Sequence, residues 1–172
     1  MSVWRSPLLF VPRRVDRAKN TLTLVLMRIY LDHCAYNRPF DDQRGIKVRL
    51  ETAAKLYIQD RIRHGKYELV WSYMSDIENS VNPNVESRNA IQTWESMAKL
   101  RCGSSEKILA LSREIAALNV RTKDALHIAC AVESGCDYFI TTDSGITRKN
   151  IGGIVVINPI DFVRMEGGTN DD

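Results

Sequence analysis

Apolar and polar positions alternate between two rhythms along this chain. Short apolar runs with strand character fall at 28–31, 67–71, 138–142 and 154–157. Between them lie stretches with helical spacing. In "VRLETAAKLYIQDRIR" (48–63), Leu50, Ala53, Ala54, Tyr57, Ile58 and Ile62 share one predicted face, and Gly65 is placed to stop the helix. "SDIENSV" starts another helix that Pro83 interrupts, and "VESRNAIQTWESMAKL" (85–100) resumes the period. The stretch 104–118 opens on two candidate serine caps, with Glu106 in the first turn. The stretch 122–135 runs from a Thr122 cap to Gly135. Strands alternating with helices predict an α/β domain, with a mainly parallel sheet flanked by helices in three α/β/α layers. The helix-rich span 66–140 is expected to contain a helical insert or arm.

Composition narrows the picture. The chain has 172 residues, 44% of them hydrophobic, which suits one domain with a sizeable core. No apolar segment reaches the roughly 18 residues of a membrane span. The net charge of +3 is unevenly placed: residues 1–26 hold five basic side chains against Asp16, so their +4 leaves the remainder at −1. That near-neutral body gives no case for strong nonspecific binding to nucleic acid. Residues 1–26 are basic, carry Pro7 and Pro12, and show no period before Thr21. They are expected to be an N-terminal extension outside the core, ahead of a domain at 27–163 and a polar tail at 164–172. Cys34, Cys102, Cys130 and Cys136 form no CxxC pair, so a reducing, cytoplasmic setting is expected.

Four acids stand out. Asp32 ends the first strand run, in "YLDHCAYNRPFDDQ". Glu78 follows the second, Asp124 opens the helix "TKDALHIACAVESG", and Asp143 ends the third run, in "YFITTDSG". In a parallel sheet, positions just past strand carboxyl ends converge on one rim. Carboxylates gathered there repel one another unless a divalent cation keeps them ionised. Each also has an ordinary structural role. Ser75 and Glu78 match a capping box. Asp124 suits a helix N-terminus. Asp143 and Asp32 suit turns. Asp41, Asp42 and Asp76 are rival carboxylates. His127, one turn beyond Asp124, either orients that carboxylate or packs as a structural histidine.

The blocks "RIYLD", "VWSYMSDIE", "KDALHIACAVESGCDYFITTD" and "IVVINPIDFV" together resemble a PIN domain, particularly the VapC-like ribonucleases of toxin–antitoxin systems. The third block is the most specific. Its features are an Asp opening an Ala-rich helix, a His three residues later, then Gly, an aromatic strand and Thr-Thr-Asp. The second carries Ser72 with Glu78 six positions on. The resemblance spans about 27–163 and implies a single PIN-like domain. Asp32, Glu78, Asp124 and Asp143 would be the catalytic, metal-binding acids. It implies a Mg²⁺- or Mn²⁺-dependent endoribonuclease acting on RNA, leaving 5′-phosphate and 3′-hydroxyl ends. It also implies a possible cognate antitoxin and a homodimer. One departure is local: His33 and Cys34 follow the first Asp, where such domains often carry a small hydroxyl residue. That pair keeps open a noncatalytic RNA- or protein-binding module of the same fold. Arg38, Arg148 and Lys149 flank two of the acids, either as phosphate ligands or as solvated loop charges.

Overall fold

The computed structural model describes residues 26–167. Most of the expected extension and the last five residues of the expected tail therefore lie outside the described residues. Five parallel strands form one sheet: β1 (Met27–Leu31), β2 (Tyr67–Ser72), β3 (Leu100–Cys102), β4 (Tyr138–Ile140) and β5 (Val155–Ile157), in the order β3-β2-β1-β4-β5. Among the described residues, eight helices accompany them. They are α1 (His33–Asn37), α2 (Ile46–Arg63), α3 (Tyr73–Ser80), α4 (Val85–Gln92), α5 (Glu106–Ala116), α6 (Thr122–Glu133), α7 (Ser144–Thr147) and α8 (Pro159–Gly167).

Alternation along the strands divides the interior in two. Tyr30, Val70 and Phe139 point to one face, where they meet Ala125, Ile128 and Ala129 of α6 and Ile108 of α5. Ile29, Leu31, Leu69, Trp71 and Ile140 point to the other, onto Ile58 and Ile62 of α2 and Phe162 of α8. Both faces of the sheet are covered, which is why its strands read as continuous apolar runs. The fold is α/β, with helices on both sides of a parallel sheet.

The chain runs outward from β1 through β2 to β3, then returns past β1 to β4 and β5. Strand order therefore reverses between β1 and β4, and in open α/β sheets a crevice opens beyond the strand ends at such a point. Asp32 follows β1 directly, and its N–H still bonds the Ile140 carbonyl at 2.9 Å. Asp143 lies three residues past the end of β4, so the two acids flank that crevice.

Several expected elements differ in detail. The helix expected at 85–100 stops at Gln92 and tightens into a 3₁₀ segment, Thr93–Met97, before a short edge strand, β3. The span 66–140 does not project as an arm, because Ile91 and Trp94 belong to the core on the α2 side. The buried face of α2 is rotated from the expected one. Leu50 and Tyr57 are exposed, whereas Glu51, Lys55 and Gln59 are buried beside Ala54, Ile58 and Ile62. Glu51 turns inward because Arg38 (2.9 Å) and Asn158 (2.7 Å) bind its carboxylate. Helix α8 runs to Gly167, so residues 164–167, expected in the tail, pack on the body through a Glu166–Arg61 pair at 3.3 Å.

Gly65 ends α2 as expected, with φ +68°. Its N–H bonds the Ile62 carbonyl while that of Lys66 reaches Arg61, the paired bonds of a Schellman cap. Among the described residues, no helix is long and apolar enough to cross a membrane.

Candidate metal centre

Asp32 is 4% exposed and caps α1, its Oδ1 accepting the His33 N–H at 2.8 Å. Its Oδ2 accepts from the Thr141 hydroxyl at 2.7 Å and the Cys34 thiol at 3.0 Å. Cys34 thus stands where a hydroxyl donor was expected, and Thr141 supplies a hydroxyl from the neighbouring strand end. The same Thr141 Oγ1 accepts the Asp143 N–H at 3.1 Å, so one side chain ties the two strand-end acids together. No cationic side chain bonds Asp32 among the described residues.

Glu78 does not form the expected capping box. Ser72 caps α3 and accepts the Ser75 N–H, which leaves Glu78 more than a turn into the helix. Its Oε2 accepts from His127 Nε2 at 2.8 Å, and Lys123 Nζ pairs with Oε1. Burial pushes its carboxyl up, but the donors from His127 and Lys123 outweigh that and hold it down to about 2.

His127 is 1% exposed and packed edge-on against Tyr30, as a structural histidine would be, but it does not orient Asp124. Its Nε2 holds Glu78 rather than Asp124, and its Nδ1 lies 2.7 Å from the Tyr30 hydroxyl, which also meets Ser72 Oγ at 2.6 Å. A carboxylate only accepts, so Nε2 carries the proton, and in the neutral ring Nδ1 accepts from Tyr30. Ligand atoms of Asp32, Glu78 and His127 lie within 4.8 Å of one another.

Asp124 and Asp143 fall outside that tight group but bear on it. Asp124 is the third residue of α6; the helix is capped at Arg121 rather than by the expected Thr122, with no side-chain bond there. The half-buried Asp124 carboxyl has no hydrogen bond or ion pair among the described residues. It is pushed above the usual range by burial, then by the charges of Asp32 and Asp143, with Lys123 and His127 opposing. Asp143 caps α7, its Oδ1 accepting the Gly145 N–H at 2.7 Å. A Cβ on Gly145 would stand 3.0 Å from that oxygen, so glycine permits the approach.

The rival acids are held by other partners, although Asp41 lines a cleft together with Glu78 and Asp143. Asp41 pairs with Arg38 at 2.8 Å, Asp42 with Arg44, and Asp76 with Arg101 and, at 2.8 Å, with Trp71 Nε1. Sequence reasoning missed Tyr30, Lys123 and Thr141. The available signals were the spacing of Lys123 and His127, four apart on one helical face, and the first Thr of "TTD".

Two open clefts adjoin these acids. One of about 520 Å³ is lined by His33, Cys34, Arg38, Asp41, Glu78, Thr142 and Asp143, among others. The other, of about 450 Å³, is lined by Arg121, Asp124, Asp143, Arg148 and Lys149, among others. Asp143 is common to both.

The donor set suits a hard divalent cation: it is made of carboxylate oxygens, and the Asp124 carboxyl is raised partly by the charges of Asp32 and Asp143.

Comparison with protein-family models finds no match, and neither does comparison with the curated proteins. Among solved structures, the chain is similar to VapBC2 from Rickettsia felis bound to a DNA fragment from their promoter. Sequence identity is 13%, covering 77% of this chain and 98% of that one, with a TM-score of 0.49. A likeness this low leaves the reading to the chain's own residues.

Proposed function

We propose that the chain is a divalent-metal-dependent endoribonuclease of PIN-like, VapC-like type, with Asp32, Glu78, Asp124 and Asp143 forming its metal-binding and catalytic site. The observation that carries this reading is the meeting of Asp32 and Glu78, 46 positions apart, within 4.8 Å at the strand ends. The Asp124 carboxyl is raised in part by the charges of Asp32 and Asp143. The family resemblance of the four sequence blocks supports it independently.

Asp32 and Asp143 are the principal ligands, oriented by their shared Thr141. Asp124, lacking another partner, completes the set. A divalent cation held by these carboxylates supplies Lewis-acid polarisation of the scissile phosphate and acidification of a nearby water. Glu78, held to about 2, stays ionised and contributes charge and water orientation rather than taking the proton. Lys123, paired with Glu78, places an ammonium beside the site for the extra negative charge of in-line attack. The water oxygen bonds to phosphorus and gives up its proton to solvent, the bond to the 3′ oxygen breaks, and that oxygen takes a proton from solvent. A 5′-phosphate and a 3′-hydroxyl result. The resemblance also brings in a small antitoxin protein as partner and a homodimer as assembly.

One observation favours the noncatalytic alternative: His127 and Lys123 already compensate Glu78 without an ion. Single-turnover cleavage of a mixed RNA pool with Mn²⁺, with and without EDTA, separates the two. Asp143→Asn keeps the Gly145 acceptor but removes the charge, and cleavage should fall by orders of magnitude. The matched control is Asp137→Asn, at the far end of β4, where Asp137 accepts the Arg28 N–H at 2.8 Å. Equal activity in wild type and Asp143→Asn would remove the catalytic assignment.

A further inference from the structure

We propose that the second cleft, floored by Val120 and Ile146 and walled by Arg121, Arg148 and Lys149, seats the RNA phosphates next to the scissile one, on one side only. This rests on the ribonuclease reading. The cleft shares Asp143 with the first one, so a strand crossing the acids enters it directly.

Its cations are available. Among the described residues, none of Arg121, Arg148 and Lys149 joins an ion pair. Arg148 donates from Nε to the Ser144 carbonyl at 2.9 Å, which anchors the guanidinium and leaves its terminal nitrogens for an anion. Helix α6 opens into the same cleft with no side-chain cap, adding backbone donors and the positive end of its dipole. The first cleft differs. Its only arginine among the described residues, Arg38, is taken by the fully buried Glu51 and by Asp41. Phosphate-binding charge therefore lies on one flank of the acids.

Among the described residues, no aromatic side chain lines the second cleft. Without a stacking surface, its contacts go to the backbone, which position a strand without reading its bases.

The test uses the full chain in EDTA and a fluorescein-labelled, mixed-sequence single-stranded RNA, with anisotropy read across a salt series. The variant R121Q/R148Q/K149Q is compared with R49Q/K99Q/R113Q, which removes the same charge from exposed sites elsewhere. The cleft variant should bind at least about tenfold more weakly. Its log–log salt slope should shrink by about two, since each phosphate contact on single strands contributes roughly 0.7. With Mn²⁺, KM should rise while kcat stays within about threefold. If the triple variant lowers the thermal midpoint, the single R148Q replaces it, with a two- to fivefold loss expected. A dissociation constant and slope equal to those of the control variant would overturn the proposal, even where cleavage is intact. Charge-dependent binding at the cleft without any metal-dependent cleavage would instead retain the cleft and remove the ribonuclease reading.

Discussion

His127 donates from Nε2 to the Glu78 carboxylate across 2.8 Å, from a position with 1% exposure. The ring is set from behind by the Tyr30 hydroxyl at Nδ1, so a buried strand residue fixes the orientation of a rim carboxylate. His127→Ala should weaken Mn²⁺ binding about 10- to 100-fold by calorimetry, as loss of an orienting partner does at metal sites. Tyr30→Phe, which keeps the ring and removes its anchor, should weaken it less. Unchanged Mn²⁺ affinity in His127→Ala would show that Glu78 needs no such support.

Ion binding to the folded state alone raises stability by about 2.7 kcal/mol at a hundredfold excess over the dissociation constant. Mn²⁺ should therefore raise the thermal midpoint by several degrees, and Asp32→Asn should abolish most of that rise. In metal-free buffer the same variant should be no less stable than wild type, because it removes one of the charges that raise the Asp124 carboxyl. A full metal response in Asp32→Asn would exclude Asp32 as a ligand.

Lys55 offers a test away from the site. It is 5% exposed, has no ion pair among the described residues, and lies 5.9 Å from the Tyr36 ring. Burial, with a contribution from Arg63, pulls its ammonium down to about 7 from 10.5. Between those two values the unfolded chain binds the extra proton, so stability should rise with pH, by up to about 1.4 kcal/mol per unit. Urea midpoints from pH 6.5 to 9.5 should climb in wild type and flatten in Lys55→Met. Matching slopes in the two proteins would rule out Lys55 as the source.

Residues ahead of the sheet are proposed to be dispensable. Strand β1 starts at Met27, where register pairing with Tyr67 begins. A protein starting at Met27 should keep its thermal midpoint and its Mn²⁺-dependent cleavage. A large drop in either would place the preceding residues within the folded unit.

The strands β1, β2, β4 and β5 were legible because each is a compact apolar run between polar segments. Strand β3 was not: Leu100, Arg101 and Cys102 show no buried alternation, and their strand character comes from lying beside Val70, Trp71 and Ser72. The face of α2 was misread because Glu51 is drawn inward by Arg38 and Asn158, partners distant in sequence. The four acids were visible through their positions after strands and at a helix start. Their supports were hidden, because no local pattern announces that Tyr30 will meet an imidazole 97 positions away.

Both borders of the sheet, β3 and β5, are only three residues long. Each offers too little unpaired backbone to recruit a foreign strand, a common guard against edge-to-edge aggregation. Among the described residues, helices and loops therefore offer a second molecule, whether another copy or a different protein, the larger docking surface. Its grip then depends on side-chain fit rather than on extending the ladder of main-chain bonds.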